Sequence, residues 1–218
     1  MSSLVYTQNH IALEVVKMKE EIFKLMAAYK QFSTVKIVVE SGCSLISNLC
    51  YSNTETKEIL YNYGVIELLG CFIENNIEHP EISTFKLIMR AVGNMSLHKP
   101  SSEKFIDSRV TEYCVLLVHR LNIFIHKDED KIKVLKLVTD FLSNISSLKY
   151  NIHKMHKEGA TDMIVTLLET TEIKEDKILM GCVDTIDGLC QLDEVENYLV
   201  MDKKLPYLLI DLLKVKED

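Results

Sequence analysis

The sequence predicts an all-α protein built from a helical unit that repeats along the chain. Three observations lead there. Turn formers are scarce: 7 Gly and 3 Pro serve 218 residues, too few for the turn about every 8–12 residues that sheet proteins need. Four heptapeptides resemble one another: LISNLCY from Leu45, AVGNMSL from Ala91, FLSNISS from Phe141 and TIDGLCQ from Thr185. Their centres, Asn48, Asn94, Asn144 and Gly188, lie 46, 50 and 44 residues apart. Finally, apolar residues recur at fixed offsets from those centres. Two before stand Ile46, Val92, Leu142 and Ile186; one after, Leu49, Met95, Ile145 and Leu189. Eleven after stand Ile59, Phe105, Met155 and Leu199; twenty after, Leu68, Cys114, Ile164 and Leu208. With 47% of residues hydrophobic, four unbroken columns of four indicate a true repeat.

The elements follow in order. Ile11 to Phe32 is expected to supply an N-terminal capping helix and part of a degenerate first repeat, within residues 1–33. Successive units then occupy 34–76, 77–124, 125–169 and 170–218. Each unit reads as three helices. A long one ends at the central Asn; in the third unit it covers roughly Glu129 to Ser147. There Ile132, Leu135, Val138, Leu142 and Ile145 follow the three-and-four spacing of an amphipathic helix. The acidic run Asp128-Glu129-Asp130 precedes it, where acids favour a helix N-terminus. A polar corner leads to a helix of about two turns, such as Glu55 to Tyr61. A more apolar third helix comes next: GVIELLGCFI from Gly64, YCVLLVHRL from Tyr113, ATDMIVTLLE from Ala160 and LPYLLIDLL from Leu205. Gly64 and Gly159 sit at the turn before it, where a positive φ is often required. Pro206 stands near a helix start, where its missing N–H is tolerated.

Composition narrows the function. The formal net charge is −7 and the pI near 5.5, which disfavours a phosphate-backbone partner, so no nucleic acid is expected. No run of 18 apolar residues exists, so no membrane span is expected. The N-terminus lacks the pattern of a secretory leader or a myristoylation signal. Cys43, Cys50, Cys71, Cys114, Cys182 and Cys190 show no CxxC spacing and sit in apolar helical surroundings. Core packing in a reducing compartment is the expectation, hence a cytoplasmic location.

The units resemble the armadillo repeat, whose long helix ends in a Ser-Asn-Leu line, followed by a polar corner, a short helix, a glycine turn and a leucine-rich helix. Ser47 to Ile73 (SNLCYSNTETKEILYNYGVIELLGCFI) carries the pattern nearly throughout, and Ser143 to Leu168 carries it well. Gly93 to Leu117 lacks the turn glycine, and the last unit has Gly188 for the central Asn. The resemblance spans about Val35 to Leu213. It implies a right-handed α-solenoid, an armadillo-type superhelix of about four to five three-helix repeats, in which neighbours share one continuous core. It further implies a concave groove lined by the long helices. The central asparagines then either bind the backbone of an extended peptide or bridge neighbouring helix ends; an amide suits both.

Members that read basic nuclear signals place a Trp four residues before each Asn. Here those positions are Ser44, Arg90, Asp140 and Asp184, and the chain has no Trp. Other members carry a basic stripe; this chain offers Lys86, Lys133, Lys136 and Lys177, a mixed surface without one dominant sign. The candidate partner-binding groove comprises Asn48, Arg90, Asn94, Lys136, Asp140, Asn144 and Asp184, with the two aspartates suited to basic side chains. No catalytic motif is present: GxSxG, P-loop, GxGxxG and HExxH are all missing. His153 and His156 form a lysine-flanked pair without further ligands. No catalytic residue, metal or cofactor is therefore expected.

The reading is a non-enzymatic scaffold or adaptor whose partner is another protein, presented as an extended peptide or helix. The alternative is an architectural subunit of a larger cytoskeletal or ciliary assembly, docking through its ends or convex face. Leu205, Leu208, Leu209, Leu212 and Leu213 are expected to be partly uncovered. Self-association or a larger complex through that C-terminal helix follows from this exposure.

Overall fold

A computed structural model describes residues 2–51, 53–121, 128–170 and 176–215. The expected unit boundary at 124–125 lies outside the described residues. Fourteen α-helices and one π-helical stretch run in chain order, with no strand among the described residues. The first two are α1 (Ser2–Lys17) and α2 (Lys19–Gln31). Three triplets follow: α3 (Lys36–Cys50), α4 (Thr54–Asn62) and α5 (Val65–Asn76); α6 (Ile82–Ser96), α7 (Lys99–Asp107) and α8 (Val110–Arg120); α9 (Glu129–Ser146), α10 (Lys149–Lys157) and α11 (Ala160–Glu169). Last come α12 (Asp176–Leu189), α13 (Asp193–Asn197), the π-helical stretch Tyr198–Asp202 and α14 (Leu205–Val215).

The long helices form one column, α3 on α6 on α9 on α12, and the third helices form another, α2 on α5 on α8 on α11 on α14. This is a solenoid, in which each unit packs on its immediate neighbours. The sequence columns explain why it holds. Ile46, Val92, Leu142, Ile186 and Leu49, Met95, Ile145, Leu189 are all buried. Of the more distant columns, only Ile59 and Leu208 are partly exposed, and both still pack against the core. Phe72, Phe85, Phe105 and Phe141 are wholly buried, and Phe105 meets Phe141 edge-to-face across two units at 5.5 Å. Each fully buried apolar side chain of this size contributes about 1.5–3 kcal/mol.

Ile11 to Phe32 is two helices, broken at Met18 (φ −75°, ψ 73°). The reason is tertiary: α1 packs on α3 and α4, whereas α2 packs mainly on α5 and only lightly on α3. One straight helix could not bury Val16 in the first place and Ile22 and Met26 in the second.

Local capping follows the sequence. Asn53 Oδ1 accepts from Thr56 N–H (3.0 Å) at the start of α4. Asp128 accepts from Asp130 N–H (2.8 Å) and Lys131 N–H (3.3 Å) at the start of α9. Gly64 and Gly159 adopt φ 78° and 85°. Where the second and last units lack that glycine, Arg109 (φ 59°) and Lys204 (φ 54°) take the same left-handed turn, at a cost of about 1 kcal/mol each. The geometry of the stack demands the turn whatever residue supplies it.

Candidate functional site

The site is built by the parallel run of α6, α9 and α12. Contacts fix their register. Near the helix starts, Lys36 bonds Glu81, and Lys86 Nζ lies 3.3 Å from Asp130. Near the ends, Asn94 Nδ2 donates to Ser47 O and Oγ, both at 3.0 Å, and Asn144 Nδ2 donates to Ser96 Oγ at 2.8 Å. Starts meet starts and ends meet ends from α3 to α9, and α12 keeps the register, with Gly181 against Thr139 and Gly188 against Ser146.

That alignment opens a cleft of about 550 Å³ whose walls include Arg90, Gly93, Asn94, Lys136, Asp140, Asn144, Lys177, Met180 and Asp184. It continues past Asn144 toward the corner residues Lys99, Ser102 and Ser147, and at the other end past Lys136 toward Glu129 and Lys133. Six of the seven residues nominated from the sequence line the central cleft. Asn48, the seventh, is exposed on α3 outside it. The sequence did not single out Leu97 and Met180, which are 66% and 65% exposed and give the cleft an apolar component. Their helical phase relative to the asparagines was the available signal.

The contacts show the helix-bridging role. Asn94 and Asn144 bridge helix ends through their nitrogens. Their Oδ1 atoms accept no hydrogen bond from any described residue, so each asparagine still offers an acceptor where it lines the cleft. The helix bridge and an open acceptor coexist in one side chain. Gly188 cannot share them. α12 approaches α9 so closely that a Cβ on Gly188 would lie 2.4 Å from Ser146 Oγ and 2.8 Å from Ser146 O.

Charge varies along the cleft. Arg90 on α6 is exposed and makes no ion pair among the described residues. On α9, Lys136 Nζ holds Asp140 at 2.5 Å one turn away, so this pair is internally neutralised. Asp184 on α12 is exposed and unpaired among the described residues. At the cleft's outer end Asp130 is held below the usual carboxylate range, first by hydrogen bonding to Lys133 and then to Lys86. Among the described residues, the cleft thus carries a free cation on α6, an internally neutralised pair on α9, and Lys177 with Asp184 on α12.

His98 Nε2 meets Glu58 at 2.8 Å and its Nδ1 meets Ser101 Oγ at 2.9 Å, a carboxylate–imidazole–hydroxyl chain. Ser101 is wholly buried and His98 is 6% exposed, so no substrate reaches the hydroxyl; the chain ties α4 to α7. His153 and His156 diverge: His153 lies 3.8 Å from Glu194, while His156 Nδ1 meets Thr161 Oγ1 at 3.1 Å. No three metal-ligating side chains cluster among the described residues. Cys43, Cys50, Cys114 and Cys182 are buried free thiols, and Cys71 and Cys190 are half-buried. Burial pushes the Cys50 and Cys182 thiols up to about 12, which leaves them unreactive at neutral pH. Among the described residues, no helix is long and apolar enough to cross a membrane.

No protein-family model matches the sequence, and no curated protein matches it. Solved structures do match its backbone. An engineered protein superposes with a TM-score of 0.71 at 16% identity, covering 94% of this chain and 81% of its own. A designed armadillo repeat protein, solved in complex with the peptide (KR)4, superposes with a TM-score of 0.68 at 18% identity, covering 94% and 82%. A second engineered protein gives 0.62 at 17%, covering 97% and 90%. The fold is an all-α solenoid of armadillo-like repeats.

Proposed function

We propose that the cleft over α6, α9 and α12 binds an extended segment of a partner protein, and that the chain is a non-enzymatic interaction scaffold. One observation carries the reading. Arg90, Asn94, Lys136, Asp140, Asn144 and Asp184 come from three helices spread over the sequence and line one open cleft. The asparagine Oδ1 atoms stand ready to accept from a peptide backbone, which gives sequence-independent affinity, while charged neighbours select side chains. The designed relative with a bound (KR)4 peptide supports this use of the fold.

The charge pattern adjusts which peptide fits. Asp140 already serves Lys136, so a ligand cation there must displace an existing partner. Asp184 is the better cation site and Arg90 the anion site. The favoured ligand is therefore bipolar, acidic at Arg90 on α6 and basic at Asp184 on α12. Labelled octapeptides test this by fluorescence anisotropy: (KR)4, an all-acidic counterpart, and a bipolar peptide with four Glu followed by four Lys. The bipolar peptide is expected to bind best, with Asn94→Ala and Asn144→Ala each weakening it about fivefold, one neutral hydrogen bond apiece. Asp184→Lys is expected to reverse the preference at the α12 end. Equal binding of all three peptides, or affinity indifferent to both asparagines, refutes the assignment.

A further inference from the structure

The stack contains a rule about how its long helices are seated. Each of α6, α9 and α12 beds into a cleft between the preceding long helix and the third helix that comes just before it in sequence: α6 on α3 and α5, α9 on α6 and α8, α12 on α9 and α11. Each seated helix runs parallel to the one beneath. In two of the three cases an acidic residue at its start pairs with a lysine of the preceding long helix, Glu81 with Lys36 and Asp130 with Lys86.

The same cleft occurs once more, between α12 and α14. It is walled by Met180 and Val183 on α12 and by Leu209, Leu212 and Leu213 on α14, encloses about 670 Å³, and carries Lys177 at its edge. Met180, Val183 and Leu213 are 65%, 43% and 68% exposed. The expected uncovering of the C-terminal leucines is thus concentrated here, except that Leu205 is buried at 5%. Lys177, near the start of α12, makes no ion pair among the described residues. It lies eleven residues before Gly188, one position short of the twelve by which Lys36 precedes Asn48, and beside Asp176, which also lines the cleft. Apolar walls at long-helix spacing and a lysine at the starting end continue the interface that α6, α9 and α12 already make.

We propose that this cleft receives an amphipathic α-helix from a partner protein, lying parallel to α12 with its apolar stripe on Val183 and Leu213 and an acidic first turn at Lys177. The site shares Lys177 and Met180 with the concave cleft but is otherwise walled by Val183 and by α14. It recognises a folded helix by its stripe, whereas the concave face recognises extended backbone.

The test uses the whole chain and a probe the fold itself supplies: a labelled synthetic peptide of residues 128–147, which carries the α9 stripe behind Asp128, Glu129 and Asp130. Saturable anisotropy is expected. Val183→Glu with Leu213→Glu is expected to weaken it at least about thirtyfold, as burying a charge in the centre of a small apolar contact does. Both positions are exposed, and an unchanged circular dichroism melt verifies that the variant folds. Lys177→Glu is expected to weaken binding about threefold, and a peptide with Glu129→Lys and Asp130→Lys to recover it. Failure to bind, or binding that survives the double variant, overturns the proposal. So does a dimer in light scattering that the double variant dissolves, because a second copy then fills the cleft.

Discussion

Alanine at Gly188 and at Gly93 should change stability in opposite directions, although both glycines sit within long helices. A Cβ on Gly93 meets nothing within 4 Å. Replacement there removes only the backbone-entropy penalty of glycine in a helix, and should stabilise by about 0.5–1 kcal/mol. A Cβ on Gly188 would lie 2.4 Å from Ser146 Oγ, 2.7 Å from Ser146 Cβ and 2.8 Å from Ser146 O. A rotamer change relieves only the first contact. The others oblige α12 to move away from α9, and overpacking of this kind costs about 1–3 kcal/mol. Two of three contacts are with unyielding atoms, which places the cost near the top of that range. After the propensity gain, a net loss of about 1–2 kcal/mol remains. Urea denaturation followed by far-ultraviolet circular dichroism measures both variants against the parent. Hydrogen exchange should show the Gly188→Ala loss concentrated in α12 to α14, because solenoid units feel chiefly their neighbours. A Gly188→Ala protein as stable as the parent would refute the close approach of α12 to α9.

Other outcomes follow from the same structure. Gly64→Ala and Gly159→Ala should each destabilise by about 1 kcal/mol, whereas Lys204→Gly should stabilise by a similar amount, read as thermal shifts. Arg109→Gly should gain less, because it also loses the two hydrogen bonds from Arg109 to Glu112. Asn94→Ala should cost about 1 kcal/mol in the same melts, from loss of its bonds to Ser47. Alkaline pH should destabilise the fold. Burial raises the Cys50 and Cys182 thiols from 9.0 to about 12, so above pH 9 the unfolded chain releases protons that the folded chain keeps. Each thiol then removes about 1.4 kcal/mol per pH unit until its folded value is reached. Lys57, lowered from 10.5 by burial, acts in the opposite sense. Urea midpoints at pH 8, 9 and 10 test the direction, which is wrong if they do not fall above pH 9.

Much of the architecture was written in residue spacing. The apolar columns around Asn48, Asn94, Asn144 and Gly188 marked the helices that share a core, because only residues facing neighbouring units are obliged to stay apolar. Asp128 marked a helix start and Gly64 a turn, because each satisfies a local backbone need. The ion pair of Lys136 with Asp140 was implicit in their separation of one helical turn. Other features had no local signal. The break at Met18 answers to two different packing partners, and the left-handed turns at Arg109 and Lys204 answer to the path of the stack rather than to residue preference.

By itself, then, the chain of residues determined the repeat, its helices and the nomination of a polar row, since these depend on periodicity and short-range hydrogen bonding. Tertiary structure alone decided where each amide points, that Asp140 is occupied while Asp184 is not, that Gly188 has no room for a side chain, and that an apolar cleft stays open between α12 and α14. Those depend on distances between helices far apart in sequence, which no local pattern encodes.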